Sequence, residues 1–96
     1  MVITILEAYV APEKVSLLEA SYKQVTEHLD VGIVQTFLTQ STNEPTVWQI
    51  VTHWESRDAL NAMRQTGETP RGVLIFQAVG AEPRFSIFRV AANAKA

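Results

Sequence analysis

Residues Val47 to Ser56 read VWQIVTHWES. The run holds both tryptophans of the chain and one of its two histidines. In an extended strand, successive side chains point to opposite faces. Trp48, Ile50, Thr52 and Trp54 therefore share one face, and Gln49, Val51 and His53 share the other. Apolar residues on both parities predict a strand over 46–54 that lies inside a sheet. Ser56 then stands where a helix cap is wanted, with Asp58 in the first turn and Ala59, Leu60 and Met63 on the inner side.

The neighbouring segments complete the pattern. Residues 2–10, VITILEAYV, are β-branched and apolar on both parities, which predicts a first strand buried on two sides. Pro12 suits a first helical position, and Val15, Leu18, Tyr22, Val25 and Leu29 recur at steps of three and four. That spacing predicts an amphipathic helix over 12–29, broken by Asp30-Val31-Gly32. Residues 31–40 form the second strand, and the Ser41–Pro45 turn cluster precedes the third. After the helix capped by Ser56, residues 65–69 interrupt, and Thr69-Pro70 starts a second piece carrying Val73, Leu74 and Phe76. Gly80 ends that piece, and 83–90 is the last strand. Residues 91–96 are expected to fray.

The order β-α-β-β-α-β, with its second helix split, is ferredoxin-like: an α+β fold with an antiparallel sheet and helices on one face. Ninety-six residues make one domain, 1–96. Helices on one side leave the other sheet face bare, yet that face is apolar too. Bare apolar area of that size invites association. The expectation is a homodimer with sheets packed face to face.

Composition narrows the chemistry. Eight basic and ten acidic residues are interspersed, so no basic patch is offered to nucleic acid. No window is long and apolar enough to span a membrane. Met1 to Leu6 runs into Glu7 without a basic start or long apolar core, so no signal peptide is expected and a cytoplasmic location is. With no cysteine and two separated histidines, no metal site is expected. There is no glycine-rich phosphate loop and no serine in a nucleophile elbow.

Trp54-x-Ser56-x-x-Ala59-Leu60, following the strand, resembles the corresponding segment of antibiotic-biosynthesis-monooxygenase domains. Length, element order and the early long helix extend the resemblance over the whole chain. It implies a ferredoxin-like unit that pairs into a dimeric α/β barrel. The chemistry it implies varies: some members oxidise quinols or aromatic polyketides with O₂ and no cofactor, some degrade haem, and others have no demonstrated activity. This chain departs from the pattern. Many relatives carry a histidine where Met63 stands, and another where Arg71 follows Thr69-Pro70. The haem-degrading branch uses an Asn, a Trp and a His at positions that correspond here to Ala8, Met63 and the 71–74 region. No axial imidazole is supplied, so haem degradation is set aside.

The expected function is then a cofactor-independent monooxygenase acting on a small planar aromatic, a quinol or polyketide-like phenol. The alternative is a non-catalytic dimeric binder or scaffold of the same fold. His53 is the candidate base, because imidazole titrates near neutral pH and a phenolate passes an electron to O₂ more readily than a phenol. Its structural alternative is a dimer-facing residue bonded to Glu7 or Gln49. Arg71 could hold an anion in its planar fork, or simply be solvated. Trp48, Trp54, Tyr22 and Phe76 are the candidate substrate-binding residues; each would serve equally as core. His28, at the predicted helix end, is given no role beyond suiting the helix dipole.

Overall fold

The third strand anchors the computed structural model, which describes residues 1–96. It spans Val47–Trp54 (β3) and pairs along its full length with Val2–Tyr9 (β1), Trp54 opposite Val2 and Val47 opposite Tyr9. The edge strands are Ile33–Gln40 (β2) beside β3 and Arg84–Arg89 (β4) beside β1. All pairings are antiparallel, in the order β2-β3-β1-β4. Both central strands alternate as their parity predicts. Val2, Thr4, Leu6 and Ala8 of β1 and Trp48, Ile50, Thr52 and Trp54 of β3 are buried under the helices. Ile3, Ile5, Glu7, Val51 and His53, on the reverse face, are half-buried.

The first helix is shorter than its periodicity suggests. A 3₁₀ turn at Pro12–Lys14 leads into Val15–Val25 (α1), which stops four residues before the expected end. The last ladder bond runs from the Thr26 N–H to the Tyr22 carbonyl at 3.0 Å, where the Thr26 hydroxyl also donates at 2.7 Å; Glu27 then turns to the tighter i→i−3 bond, to the Gln24 carbonyl. Residues 26–32 become a loop, and Leu29, periodic in sequence, is off the helix and 45% exposed. The second strand starts at Ile33 rather than 31. A bulge follows at once: Ile33 opposes Trp54 and Gln35 opposes His53, which leaves Val34 unpaired and exposed. That irregularity accounts for apolar residues on both parities at the start of this strand.

The second helix is split as expected, into Arg57–Arg64 (α2) and Arg71–Gln77 (α3). Ser56 caps α2 by accepting from the Ala59 N–H at 3.1 Å. Gly32 fixes where α2 sits. Its φ is +94°, and a Cβ there would lie 2.5 Å from the Ala59 side chain, so only glycine suits both the turn and the packing. No helix is long and apolar enough to cross a membrane.

The core under the helices is in two parts. The larger joins Leu6, Ala8, Val10, Leu18, Trp48, Ile50, Ile75, Phe76, Val79 and Ala81 beneath α1 and α3. The smaller joins Val2, Trp54 and Leu60 beneath α2.

Candidate functional site

Between the two core clusters lies a partly open cavity of about 380 Å³. Its volume falls in the range of ligand pockets. The apolar walls come from both clusters: Leu6, Ile50 and Ile75 on one side, Trp54, Leu60 and Met63 on the other. Tyr22 and Val25 of α1 cover part of it.

The floor is polar, and β-sheet register builds it. Thr36, Thr52 and Thr4 are successive cross-strand partners on β2, β3 and β1, and all three line the cavity. Thr4 and Thr52 are buried. The Thr36 and Thr52 hydroxyls are 3.2 Å apart, so one donates to the other. The Trp54 indole N–H donates to the Thr4 hydroxyl at 3.1 Å. The floor thus carries hydroxyls and an indole N–H, but no ionisable group.

The ionisable groups stand at the exposed rim. Arg71, first residue of α3, donates through Nη1 to the His28 carbonyl, and its Nη2 lies 3.5 Å from Asp30 Oδ1. These contacts tie α3 to the loop after α1. Arg64 of α2 lies over the Phe85 ring of β4, 5.5 Å from its centroid. Glu68 and His28 complete the polar rim.

Three of the six residues singled out from the sequence meet here: Tyr22 and Trp54 in the wall and Arg71 on the rim. Trp48 and Phe76 do not line the cavity; both are buried in the larger cluster, where their size fills space between helices and sheet. His53 lies on the opposite face of the sheet, paired with Ile3 and Gln35, and the sheet separates it from the cavity. It is not bonded to Glu7 or Gln49 either, because those two bond each other at 2.8 Å, and His53 Nε2 is buried without a partner. Arg71, foreseen as an anion fork, already has Asp30 as its counter-charge.

Sequence reasoning missed the threonine row and the rim position of His28. Part of the signal for the first was present: Thr4 and Thr52 stand on the inward parity of β1 and β3, whereas Thr36 joins them only because the bulge at Val34 shifts the parity of β2. Only the register shows that they align.

The reverse face holds a second depression of about 530 Å³, lined by residues such as Glu7, Tyr9, Thr39, Gln40, Glu44 and Gln49. Its lining is mostly polar, whereas small-molecule sites are mostly apolar with a few placed polar groups. The cavity under the helices is the better candidate.

Comparison with known proteins agrees with this architecture. The family model for antibiotic biosynthesis monooxygenase matches residues 1–72. The chain belongs to that family. No curated protein matches it. Among solved structures, a candidate antibiotic biosynthesis monooxygenase from Deinococcus radiodurans is similar over 100% of this chain and 98% of its own, with a TM-score of 0.74 and 14% identity. A conserved protein from Methanosarcina mazei Go1 gives a TM-score of 0.72 at 18% identity, covering 92% of this chain and 90% of its own. Another candidate antibiotic biosynthesis monooxygenase, from Caulobacter crescentus, gives 0.68 at 20% identity, covering 95% and 91%. At such identities the likeness establishes the shared ferredoxin-like fold, and the cavity's own residues must supply the argument for function.

Proposed function

We propose that this family member is a dimeric, cytoplasmic monooxygenase that needs no cofactor and oxidises a small planar aromatic, a quinol or polyketide-like phenol, in the cavity above the threonine row. One observation carries the reading: a cavity of about 380 Å³ with apolar walls, the Trp54 ring among them, and a polar floor confined to three hydroxyls and an indole N–H. Such a space takes a flat apolar body and orients it by its oxygen. Tyr22 and Trp54 would contact the ring, and Arg71 would close the rim.

The reaction balances without an added reductant. A naphthoquinol plus O₂ gives a hydroxynaphthoquinone plus water; one oxygen atom enters the product, the other leaves as water, and all four electrons come from the substrate. A base that yields the phenolate assists the first electron transfer. His28 is the histidine among the residues that line the cavity, so its imidazole would take the place expected of His53 in this proposal. The test is naphthoquinol turnover in air and under nitrogen, with ¹⁸O₂ tracing. The expected result is product carrying one labelled atom, formed faster than without protein and absent under nitrogen. Equal product with and without protein in air overturns it.

The second reading is a non-catalytic binder of the same ligand class. The absence of any ionisable group on the cavity floor favours it, as does Met63 in the cavity wall where many relatives have histidine. Binding without oxygen uptake would select it.

The dimer belongs to the proposal as well. On the face without helices, Tyr9, Phe37 and Phe88 are 72%, 47% and 53% exposed, and Ile3, Ile5 and Val51 lie half-covered among them. An apolar face of this kind is ordinarily covered. Sedimentation at micromolar concentration should give twice the chain mass of 10.7 kDa, and Phe37→Lys should lower it toward the monomer. A clean monomer for the unaltered protein sinks the face-to-face arrangement.

A further inference from the structure

We infer that the threonine row reads a hydrogen-bond acceptor: it selects ligands that present a carbonyl or phenolate oxygen to the floor. The inference deepens the proposed aromatic binding and rests on it. The argument counts hydrogens. Thr4, Thr36, Thr52 and the Trp54 indole together hold four polar hydrogens at the floor. One, the indole hydrogen, goes to the Thr4 oxygen. A second is used between Thr36 and Thr52, whichever of the two donates. Two hydroxyl hydrogens remain, one on Thr4 and one on the Thr36–Thr52 pair, on side chains that line the cavity.

Their placement suits one shared acceptor. A ligand acceptor favours the orientation in which Thr36 donates to Thr52 and the free hydrogen stays on Thr52, the direct cross-strand partner of Thr4; such partners have Cβ atoms about 4.5–5.5 Å apart. A single ligand oxygen above them can accept from both sides through its two lone pairs. Both donors are also polarised. Thr4 accepts from Trp54, and the free hydroxyl of the Thr36–Thr52 pair accepts from its neighbour; a hydroxyl that accepts donates more strongly. The surrounding wall is apolar, so a ligand without an acceptor leaves two buried hydrogens unpaired on binding. A carbonyl, or an oxygen that gains negative charge, satisfies both. The row is therefore specificity-determining: it chooses what the buried end of the ligand is, while the apolar walls choose its shape.

The probes are 1-indanone and indane, bicycles of one shape that differ by a carbonyl. Calorimetry gives each dissociation constant for the natural protein and for Thr4→Val, Thr52→Val, Thr4→Ser and Thr52→Ser, with circular dichroism confirming that each variant is folded. Either valine variant should weaken 1-indanone about ten-fold relative to indane, the effect of one lost hydrogen bond with its buried partner. The serine variants keep the hydroxyl and should hold the natural ratio. A ratio unchanged by both valine substitutions, with both probes still bound, overturns the inference but leaves the aromatic-binding proposal standing. Failure of both probes to bind the natural protein overturns the two together. Should a valine variant not fold, its serine counterpart decides: a ten-fold loss for 1-indanone despite a retained hydroxyl contradicts the inference.

Discussion

The two ends of the helix-covered sheet face use the same kinds of residue to opposite effect. Under α1 and α3 the space is filled. Phe76 and Leu18 are fully enclosed, Trp48 and Ile75 pack beside them, and Gly72 lets α3 lie close on β1, where a Cβ would come within 2.6 Å of the Leu6 side chain. At the α2 end, Trp54 of β3 and Leu60 of α2 are equally apolar and equally buried, yet a cavity stands beside them. The difference arises from two placements. The Gly32–Ala59 contact seats α2 at the outer end of β3, away from α3. Threonines occupy the floor positions between, where they remove a methyl group's worth of apolar contact and add a hydroxyl. What makes a pocket here is therefore spacing between helices plus a change from apolar to hydroxyl side chains along one cross-strand row.

The comparison breaks most visibly at Phe76. Replacing it with alanine removes a ring from an enclosed site, and such losses cost about 3–5 kcal/mol. Chemical denaturation at fixed protein concentration should show that loss, the largest of the series; a cost below about 1 kcal/mol would mean that this end is not packed as described. Gly32→Ala comes next. It forces a left-handed residue to carry a side chain, at about 1–2 kcal/mol, and drives that side chain into Ala59, where overpacking adds about 1–3 kcal/mol. The expected loss is about 2–5 kcal/mol by the same measurement. Because the contact seats α2, probe binding in the cavity should weaken as well; an alanine variant that is as stable as the original contradicts the role given to Gly32.

How much of this was legible in the sequence follows the same division. Local signals read well: Ser56 caps a helix because its hydroxyl needs only the residues just after it, and the parity of β1 and β3 gave both faces correctly. Signals that depend on a distant partner read poorly. Parity puts Thr52 on the face of the two tryptophans, but its alignment with Thr4 and Thr36 into one row needs the register of three strands, including the bulge in β2. Trp48, Phe76 and Trp54 look alike as large aromatics, and only the position of α2 relative to α3 puts Trp54 in a wall and the other two in a filled core. The apolar period runs on through Leu29, whereas the backbone leaves the helix at Thr26, so the period overstates the length of α1. His53 drew attention by its company in the sequence, whereas His28 reaches the cavity rim through that same early turn.

The smallest effect should come at Met63, and it sharpens the comparison most. A buried methionine cut to alanine ordinarily costs about 2–5 kcal/mol. Met63 is only half-buried and already borders the cavity, so one side of its chain has few atoms to lose contact with. Met63→Ala should therefore cost only about 1 kcal/mol in chemical denaturation, well below Phe76→Ala. It should also enlarge the cavity, so that a bicycle with one added ring methyl binds the variant as well as, or better than, the unmethylated parent. A loss of 3 kcal/mol or more would mean that the α2 end closes around Met63 in solution as tightly as the α3 end closes around Phe76, and the contrast between the two ends would disappear.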